Sequence, residues 1–566
     1  MLNFKGKKMK NLKYILTIIL VTALGLVSCD EEAWLKEQPY SFYSPENSYS
    51  TPEGIDQAVV QLYENVATTL YRGNGEYNIA FMYTTDVGYD ALATNHALNS
   101  WSDAINPETD AVSFFWKNMY SIIFNANTIL NRIQEVEYNN EERRVQSIAE
   151  AKFFRAFAYK YLNRLYGGVP LVLEEISSPR RDFVRASNQE IIDQIIMDLT
   201  EAVVDLPNTD EVADGRITKG AANHLLSEIY IVNGEYNKAV AAATEVIDNS
   251  GYALMTSRFG SRISEPGDVY WDLFRRGNQN RGSGNTEGIW VMQYEYNVTG
   301  GGDGDQMPRF ILPNYKNLKT DDGQNAFLGP MNQMGGRGIG WWAASDYMLN
   351  QVWASSANDM RNSQYNIIRD IQVNNPSSAY FGQMLIADGT ISNYNNKYNR
   401  FWSALFVKAG PINNFPEEVI QDLATGVTTG SANHSFRDRY IMRLAETYLL
   451  RAEAYLMLGD QGNAAADINV VRDRSNADPV AAVDVDFDYI LDERARELFL
   501  EEHRLLTLYR MNKQLERIRV HNPMYNGTYA DNQILEHQNL WPIPASEIQK
   551  NTEAVLAQNP GYAGGE

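Results

Sequence analysis

The chain has 566 residues, 71 Asp and Glu against 49 Lys and Arg, a formal net charge of −22 and one cysteine. At 44% hydrophobic, 11% aromatic and 21% charged it can bury a large core, which excludes disorder, collagen-like repetition and a disulfide framework. One cysteine builds no structural zinc site, and an acidic balance without a basic tract argues against nucleic acid, whose phosphates require clustered Lys and Arg.

Residues 1–28 carry Lys5, Lys7, Lys8, Lys10 and Lys13, no acid, and the apolar run Tyr14 to Val27. A basic head followed by an apolar stretch too short to span a bilayer comfortably predicts a secretory signal peptide. The run ends in Leu26-Val27-Ser28-Cys29. This resembles the bacterial lipobox, whose cysteine is lipidated and becomes the mature N-terminus; an ordinary buried cysteine is the weaker reading at such a junction. Loss of the five lysines moves the net charge from −22 to −27. Asp30-Glu31-Glu32 resembles the acidic signal that directs lipoproteins of Bacteroidetes to the outer cell surface. No other segment reaches about 18 uninterrupted apolar residues, so the rest of the chain is expected to be soluble and tethered to the outer membrane through Cys29.

Helical periodicity dominates residues 52–250 and 436–520. Asn140 to Tyr166 places Phe153, Phe157 and Tyr161 on one stripe and stops at Gly167-Gly168 before Val169-Pro170. In 218–249, Ala222, Leu226, Ile229 and Tyr230 keep a three-and-four spacing, Gly234 interrupts, and Tyr236, Ala239, Val240, Ala243, Val246 and Ile247 resume it. The plan recurs 225 residues later, where Tyr455, Gly459, Ala464 and Val471 match Tyr230, Gly234, Ala239 and Val246. Such hairpins predict a mainly α, tetratricopeptide-like helical repeat scaffold. Residues 251–435 hold 22 of the 39 glycines and six of the ten tryptophans, which predicts a loop-rich variable subdomain. The expected divisions are a signal peptide (1–28), an N-terminal helical scaffold (29–250), a variable ligand-recognition region (251–435) and a C-terminal helical scaffold with its tail (436–566).

These motifs resemble the SusD/RagB family of surface nutrient-binding lipoproteins of Bacteroidetes. Trp34 to Pro39 is similar to its start, Ala149 to Tyr159 and Arg164 to Val172 to its most recognisable helix, and Arg216 to Ala222 to the opening of its next hairpin. Arg443 to Ala454, Glu493 to Leu498, Trp541-Pro542-Ile543-Pro544 and Gln558 to Tyr562 continue the pattern. One departure is Glu502, where the family usually has glycine, a position expected on a helix surface. The resemblance implies a helical repeat scaffold without catalysis, no cofactor, and a partner, a SusC-like TonB-dependent transporter that receives an oligosaccharide or, in some members, a peptide. It transfers no ligand residues, since those vary.

Carbohydrate binding calls for flat aromatic faces beside planar polar groups. Trp341 and Trp342 after Gly338-Ile339-Gly340 are the first candidates, although either ring can equally close a core. The polar-aromatic-polar segment with Asn99, Trp101 and Asp103 is the second, joined by Tyr71 and Arg72 after the first helix. Tyr294 and Tyr296, alternating in an expected strand, form either a platform or a core face.

Metal signals are weak. Asp484 to Asp488 mimics the start of a calcium loop, but Tyr489 and Ala495 occupy the positions of its glycine and last glutamate. Gly300 to Asp305 reads more readily as a glycine turn than as a calcium site, and no metal is assigned. The six histidines form no H-E-x-x-H helix, and no G-x-S-x-G elbow or phosphate loop is present. Glu497 and Glu501 are one helical turn apart, and with Arg494 and Arg504 they are expected to make a solvated ion-pair face rather than a glycosidase pair. A surface glycoside hydrolase and a purely structural assembly protein are the remaining alternatives.

Overall fold

The computed structural model describes residues 48–72, 77, 79–92, 101–392, 399–530 and 532–565. Its scaffold helices before the middle region are α1 (Pro52–Leu70), α2 (Asp110–Arg132), α3 (Glu141–Tyr166), α4 (Asn188–Asp205), α5 (Lys219–Val232) and α6 (Tyr236–Thr244). After it come α7 (Leu444–Met457), α8 (Gln461–Arg474), α9 (Phe487–Leu498) and α10 (Arg504–Arg510). Side-chain caps explain many of the starts. Thr51, Asn140 and Thr218 accept from Gly54, Arg143 and Ala221 N–H groups, Ser187 and Glu190 form a capping box, and Asp486 accepts from Tyr489 N–H.

The two repeat hairpins turn at Gly234 (φ +72°) and Gly459 (φ +78°). Nothing crowds either position, so the left-handed backbone, not a close approach, calls for glycine there. Close approach falls instead to Ala239, buried against Ile231, Leu450 and Ala454. Helices α2 to α6 pack each on the next, and α6 packs directly on α7 although residues 245–443 intervene. The middle region is thus an excursion from an uninterrupted tetratricopeptide-like helical stack.

Strands fasten that excursion. β1 (Gly88–Asp90) pairs antiparallel with β3 (Trp342–Ala344), and β2 (Gly288–Met292) with β4 (Arg439–Arg443), where the chain leaves and re-enters the stack. From β2, Trp290 packs edge-on against Phe153 and Phe157 of α3 at 5.8 and 5.5 Å between ring centroids. β2 ends at Met292, so Tyr294 and Tyr296 are not in a strand as expected. The backbone turns away because Tyr294 N–H donates to the Asp438 carboxylate (2.7 Å) and not to a partner strand.

The expected solvated face around Glu497 is also corrected. Glu497 is fully buried and pairs with Arg443 (2.6 Å), Arg361 (2.9 Å) and Arg474. Its helix neighbour Glu493 pairs with Arg361, Arg472 (both 2.7 Å) and Arg496 (2.9 Å). Glu501 is half-buried and bound by Arg443 (2.8 Å) and Lys408 (2.5 Å). Arg494 and Arg504 turn instead to Glu502, at 2.7 and 3.1 Å, so Glu502 is buried rather than on a helix surface. Arg443, Arg472, Arg474, Arg361 and Lys408 come from β4, α8 and the excursion, far apart in sequence, and spacing along one helix does not show them.

Candidate functional site

The β1–β3 ladder sets Tyr89 opposite Ala343 and leads from β3 into the short helix Asp346–Leu349. Tyr347 lies in that helix, and its hydroxyl donates to Asp492 (2.5 Å) and accepts from Arg517 (2.7 Å). Burial holds this phenol well above its usual range, so it stays a neutral, oriented hydroxyl. The His521 ring lies 4.2 Å from the Tyr347 ring, and burial lowers its pKa, which leaves a neutral imidazole at pH 7. Across the opening, Tyr529 contacts Tyr89 at 5.6 Å, and Asn399 donates to the Tyr89 hydroxyl (3.2 Å).

Together these side chains line a cavity of about 480 Å³, with Asn350, Gln351 and Asn526 among its polar groups. Leu349, Asn350 and Asn399 also line an adjoining recess of about 370 Å³ that contains Trp402, Arg369 and Ser403. The two adjoin through these three residues; Asn350, Gln351, Asn399, Asn526 and the half-exposed Tyr529 ring line the opening while Tyr89, Tyr347 and Trp402 are buried in its wall, a chemistry suited to sugar hydroxyls beside one apolar face. The carboxylate among the described lining residues, Asp346, accepts from Asn350 and Gln351 (both 2.7 Å). No second lining carboxylate faces it among those residues, as a glycosidase pair requires. No group of three His, Cys, Asp or Glu among the described residues is placed to hold a metal ion.

Two family models match the chain. The SusD family covers residues 286–562, and the family described as starch-binding associating with outer membrane covers 33–231. The chain belongs to the SusD/RagB family. It is 25% identical to the SusD-like protein P25 of Formosa agariphila, across 96% of this chain and 99% of that one. Solved structures with the same fold include a laminarin binding SusD-like protein (TM-score 0.66, 23% identity, covering 90% of this chain and 99% of that one). Another is surface glycan-binding protein A from Bacteroides thetaiotaomicron (TM-score 0.64, 20% identity, 91% and 100%).

Within this SusD-family fold the predicted ligand residues fall into separate places. Trp342 is 2% exposed, donates to Met82 O (2.9 Å) and packs on Phe499, so its ring is core. Trp101 is fully buried against Trp541, while Asp103 is exposed on the same short helix. Trp341 is half-buried beside Phe310 (5.1 Å), and its carbonyl accepts from Ala91 N–H (2.8 Å) just past β1. Asn99 and Cys29 lie outside the described residues.

Tyr71, Arg72 and Tyr294 do come together, as supports under the Gly300–Asp305 turn. Arg439 lies over the Tyr71 ring (4.7 Å) and pairs with Asp305 (2.5 Å), and Arg72 pairs with Glu64. A Cβ on Gly302 (φ +71°) would meet Arg72 and Tyr294, so the turn rests directly on both. Tyr296 lines a cavity of about 720 Å³ together with Phe436 and His434. Sequence reasoning missed Tyr89, Tyr347, Asn350, Asn399, His521 and Tyr529. Only the spacing of Tyr347, Asn350 and Gln351 in one short stretch carried a signal, because the other lining groups join through tertiary contacts.

Proposed function

We propose that this protein is a non-catalytic, cell-surface lipoprotein that binds an oligosaccharide in the groove running from Tyr347 to Trp402. It delivers that ligand to a SusC-like TonB-dependent transporter and is held at the outer membrane through Cys29. The observation that carries the ligand class is the groove's lining of exposed amide side chains beside the half-exposed Tyr529 ring, next to a carboxylate already bound by two amides. The names of the laminarin-binding and glycan-binding structures that share the fold support the same class.

Isothermal titration against a panel of neutral and acidic oligosaccharides is the test. Binding that weakens in Tyr529→Ala and Asn350→Ala, with no release of reducing ends, is expected. Failure of every glycan to bind, with peptides captured instead, would overturn the ligand class. For the anchor, Cys29→Ser is expected to move the protein from the membrane fraction to the soluble one.

A further inference from the structure

The recess at the Trp402 end of the groove differs in charge from the rest of it. The two-residue strands Ile367–Ile368 and Leu405–Phe406 pair antiparallel, and the residues that continue them at this end, Arg369 and Ala404, both enter the wall of the recess. Trp402, stacked on Phe327 at 6.3 Å, donates from Nε1 to Arg369 O (3.3 Å) and fixes the backbone there. Asp370 is taken up by the fold: its carboxylate accepts from the N–H groups of Ile371 (2.9 Å), Ile386 (2.8 Å) and Ala387 (2.9 Å), which holds the Ile386 wall in place.

Arg369 is the one charged side chain among the described residues that line this recess. Its Nη2 donates to Leu349 O (2.8 Å), at the end of the short helix that carries Tyr347, and to Asn362 Oδ1 (2.6 Å). Both acceptors are neutral. In a chain with 71 acids against 49 Lys and Arg, cations readily find carboxylates, and Arg361, eight residues earlier, meets Asp359, Glu493 and Glu497. Arg369 pairs with none among the described residues. Residues 393–398, between the lining residues Ile391 and Asn399 in sequence, contain no Asp or Glu. Burial lowers the pKa of Arg369, and no neighbouring carboxylate opposes it.

The remaining donors of this guanidinium are open. Nε and Nη1 have no acceptor among the described residues, and, unlike Nε of Arg309 and Arg337, neither is closed off from solvent. The hydroxyl of half-buried Ser403, on the same wall, also makes no hydrogen bond among those residues. Arg369 is thus pinned through Nη2 and half-exposed, with its charge unmatched. A neutral sugar can accept its N–H groups but leaves that charge unmatched, whereas an anionic oxygen answers both. The other end of the groove has the opposite sign, since the exposed Asp346 carboxylate lines the larger cavity and repels an anion there.

We infer that the groove takes an acidic saccharide, one bearing a uronate carboxylate or a sulfate ester, and that Arg369 holds the anionic group in the recess beside Trp402 while the rest of the ligand lies toward Tyr529. This rests on the saccharide reading of the groove and adds to it the charge of the ligand and its direction.

The test is calorimetric titration of the full chain without its leader, using a uronate oligosaccharide with its carboxyl-reduced counterpart and a sulfated oligosaccharide with its desulfated counterpart. At least one acidic ligand is expected to bind about tenfold tighter than its neutral counterpart at low salt, the scale of one charge-assisted hydrogen bond, and less so at high salt, since a half-exposed charge is screened. Which acidic ligand shows the preference identifies the substituent. Arg369→Gln should remove the preference while the neutral counterpart still binds, and Arg369→Lys should keep part of it. Tyr529→Ala should weaken acidic and neutral ligands alike and leave their ratio unchanged. Equal binding of acidic and neutral ligands, or a preference unchanged in Arg369→Gln, overturns this inference and leaves the saccharide reading of the groove standing. Absence of binding by all four ligands overturns both. Should Arg369→Gln not fold, Ser403→Asp, which sets a carboxylate in the same recess, must abolish the preference or the inference fails.

Discussion

Gly88 of β1 lies directly against the indole of Trp342 in β3, so close that a Cβ at position 88 would overlap the ring. The contact joins the N-terminal scaffold to the excursion at the wall of the groove, since Tyr89 is the next residue. Replacing Gly88 by alanine should force Trp342 from its hydrogen bond to Met82 O and destabilise the protein by roughly 1–3 kcal/mol, the usual cost of overpacking a filled core. Thermal unfolding of Gly88→Ala against the parent checks this, and an unchanged transition would mean that the ladder adjusts without loss.

The carboxylate of Glu497 is the node where three arginines from three segments converge. Removing it with Glu497→Ala leaves Arg443, Arg361 and Arg474 short of one buried partner each. A loss of roughly 3–5 kcal/mol is expected, because an uncompensated buried charge costs more than the intact pair contributes. Denaturant unfolding of this variant and of Glu235→Ala, whose carboxylate forms a surface pair with Lys238 and should matter by about 1 kcal/mol or less, separates the two regimes.

Stability should depend on pH in two stages. Desolvation among Tyr71, Phe81 and Tyr161 lowers the His503 pKa to about 3, and the arginines around Glu493 outweigh its burial and lower its pKa to about 2. Both groups bind protons more readily when unfolded, so their contributions are lost on acidification. For His503 the loss begins near pH 6.5, and for Glu493 near pH 4.5. Asp438 has the opposite sign: burial raises its pKa to about 6, and the folded state therefore takes up its proton first. Between pH 6 and 4 Asp438 and His503 offset one another, and below pH 4 His503 and Glu493 act together. The expected profile is shallow and then steep, with each group supplying at most about 1.4 kcal/mol per pH unit. Melting temperatures from pH 3 to 8 test it, and Asp438→Asn should steepen the upper stage.

At the groove, Tyr529 is half-exposed and covers the buried Tyr89 ring, whereas Tyr347 is buried and anchored by Asp492 and Arg517. Tyr529→Ala should therefore weaken glycan binding about tenfold, near 1.4 kcal/mol, without a change in melting temperature. Arg517→Met should lower both, since it removes one of the two bonds that orient the Tyr347 hydroxyl and strips a partner from buried Asp86. A Tyr529 variant that loses stability as much as affinity would place that ring in the core and not in the site.

The helices were legible in the chain because their signals are local. Asn140 and Thr218 mark starts, Gly167, Gly234 and Gly459 mark stops, and the stripe of Phe153, Phe157 and Tyr161 follows from 3.6 residues per turn. The family resemblance rests on these same scaffold motifs, and so the sequence by itself determined the repeat architecture and the family. The ligand surfaces were not legible in this way. Trp341 and Trp342 are adjacent and identical in type, yet one is half-buried and the other is core, because Trp342 begins β3 and is held inside by its bond to Met82 O, whereas Trp341 precedes the strand beside Phe310. The groove unites Tyr89, Tyr347, Asn399 and Tyr529, and the cavity beside the Gly300–Asp305 turn unites Tyr296, Gln306, His434 and Phe436, each drawn from several segments. No periodicity connects such residues. Only the folding of the excursion back onto the helical stack, held by strand pairing and the buried arginine–carboxylate network, decided which aromatics are core and which line a cavity.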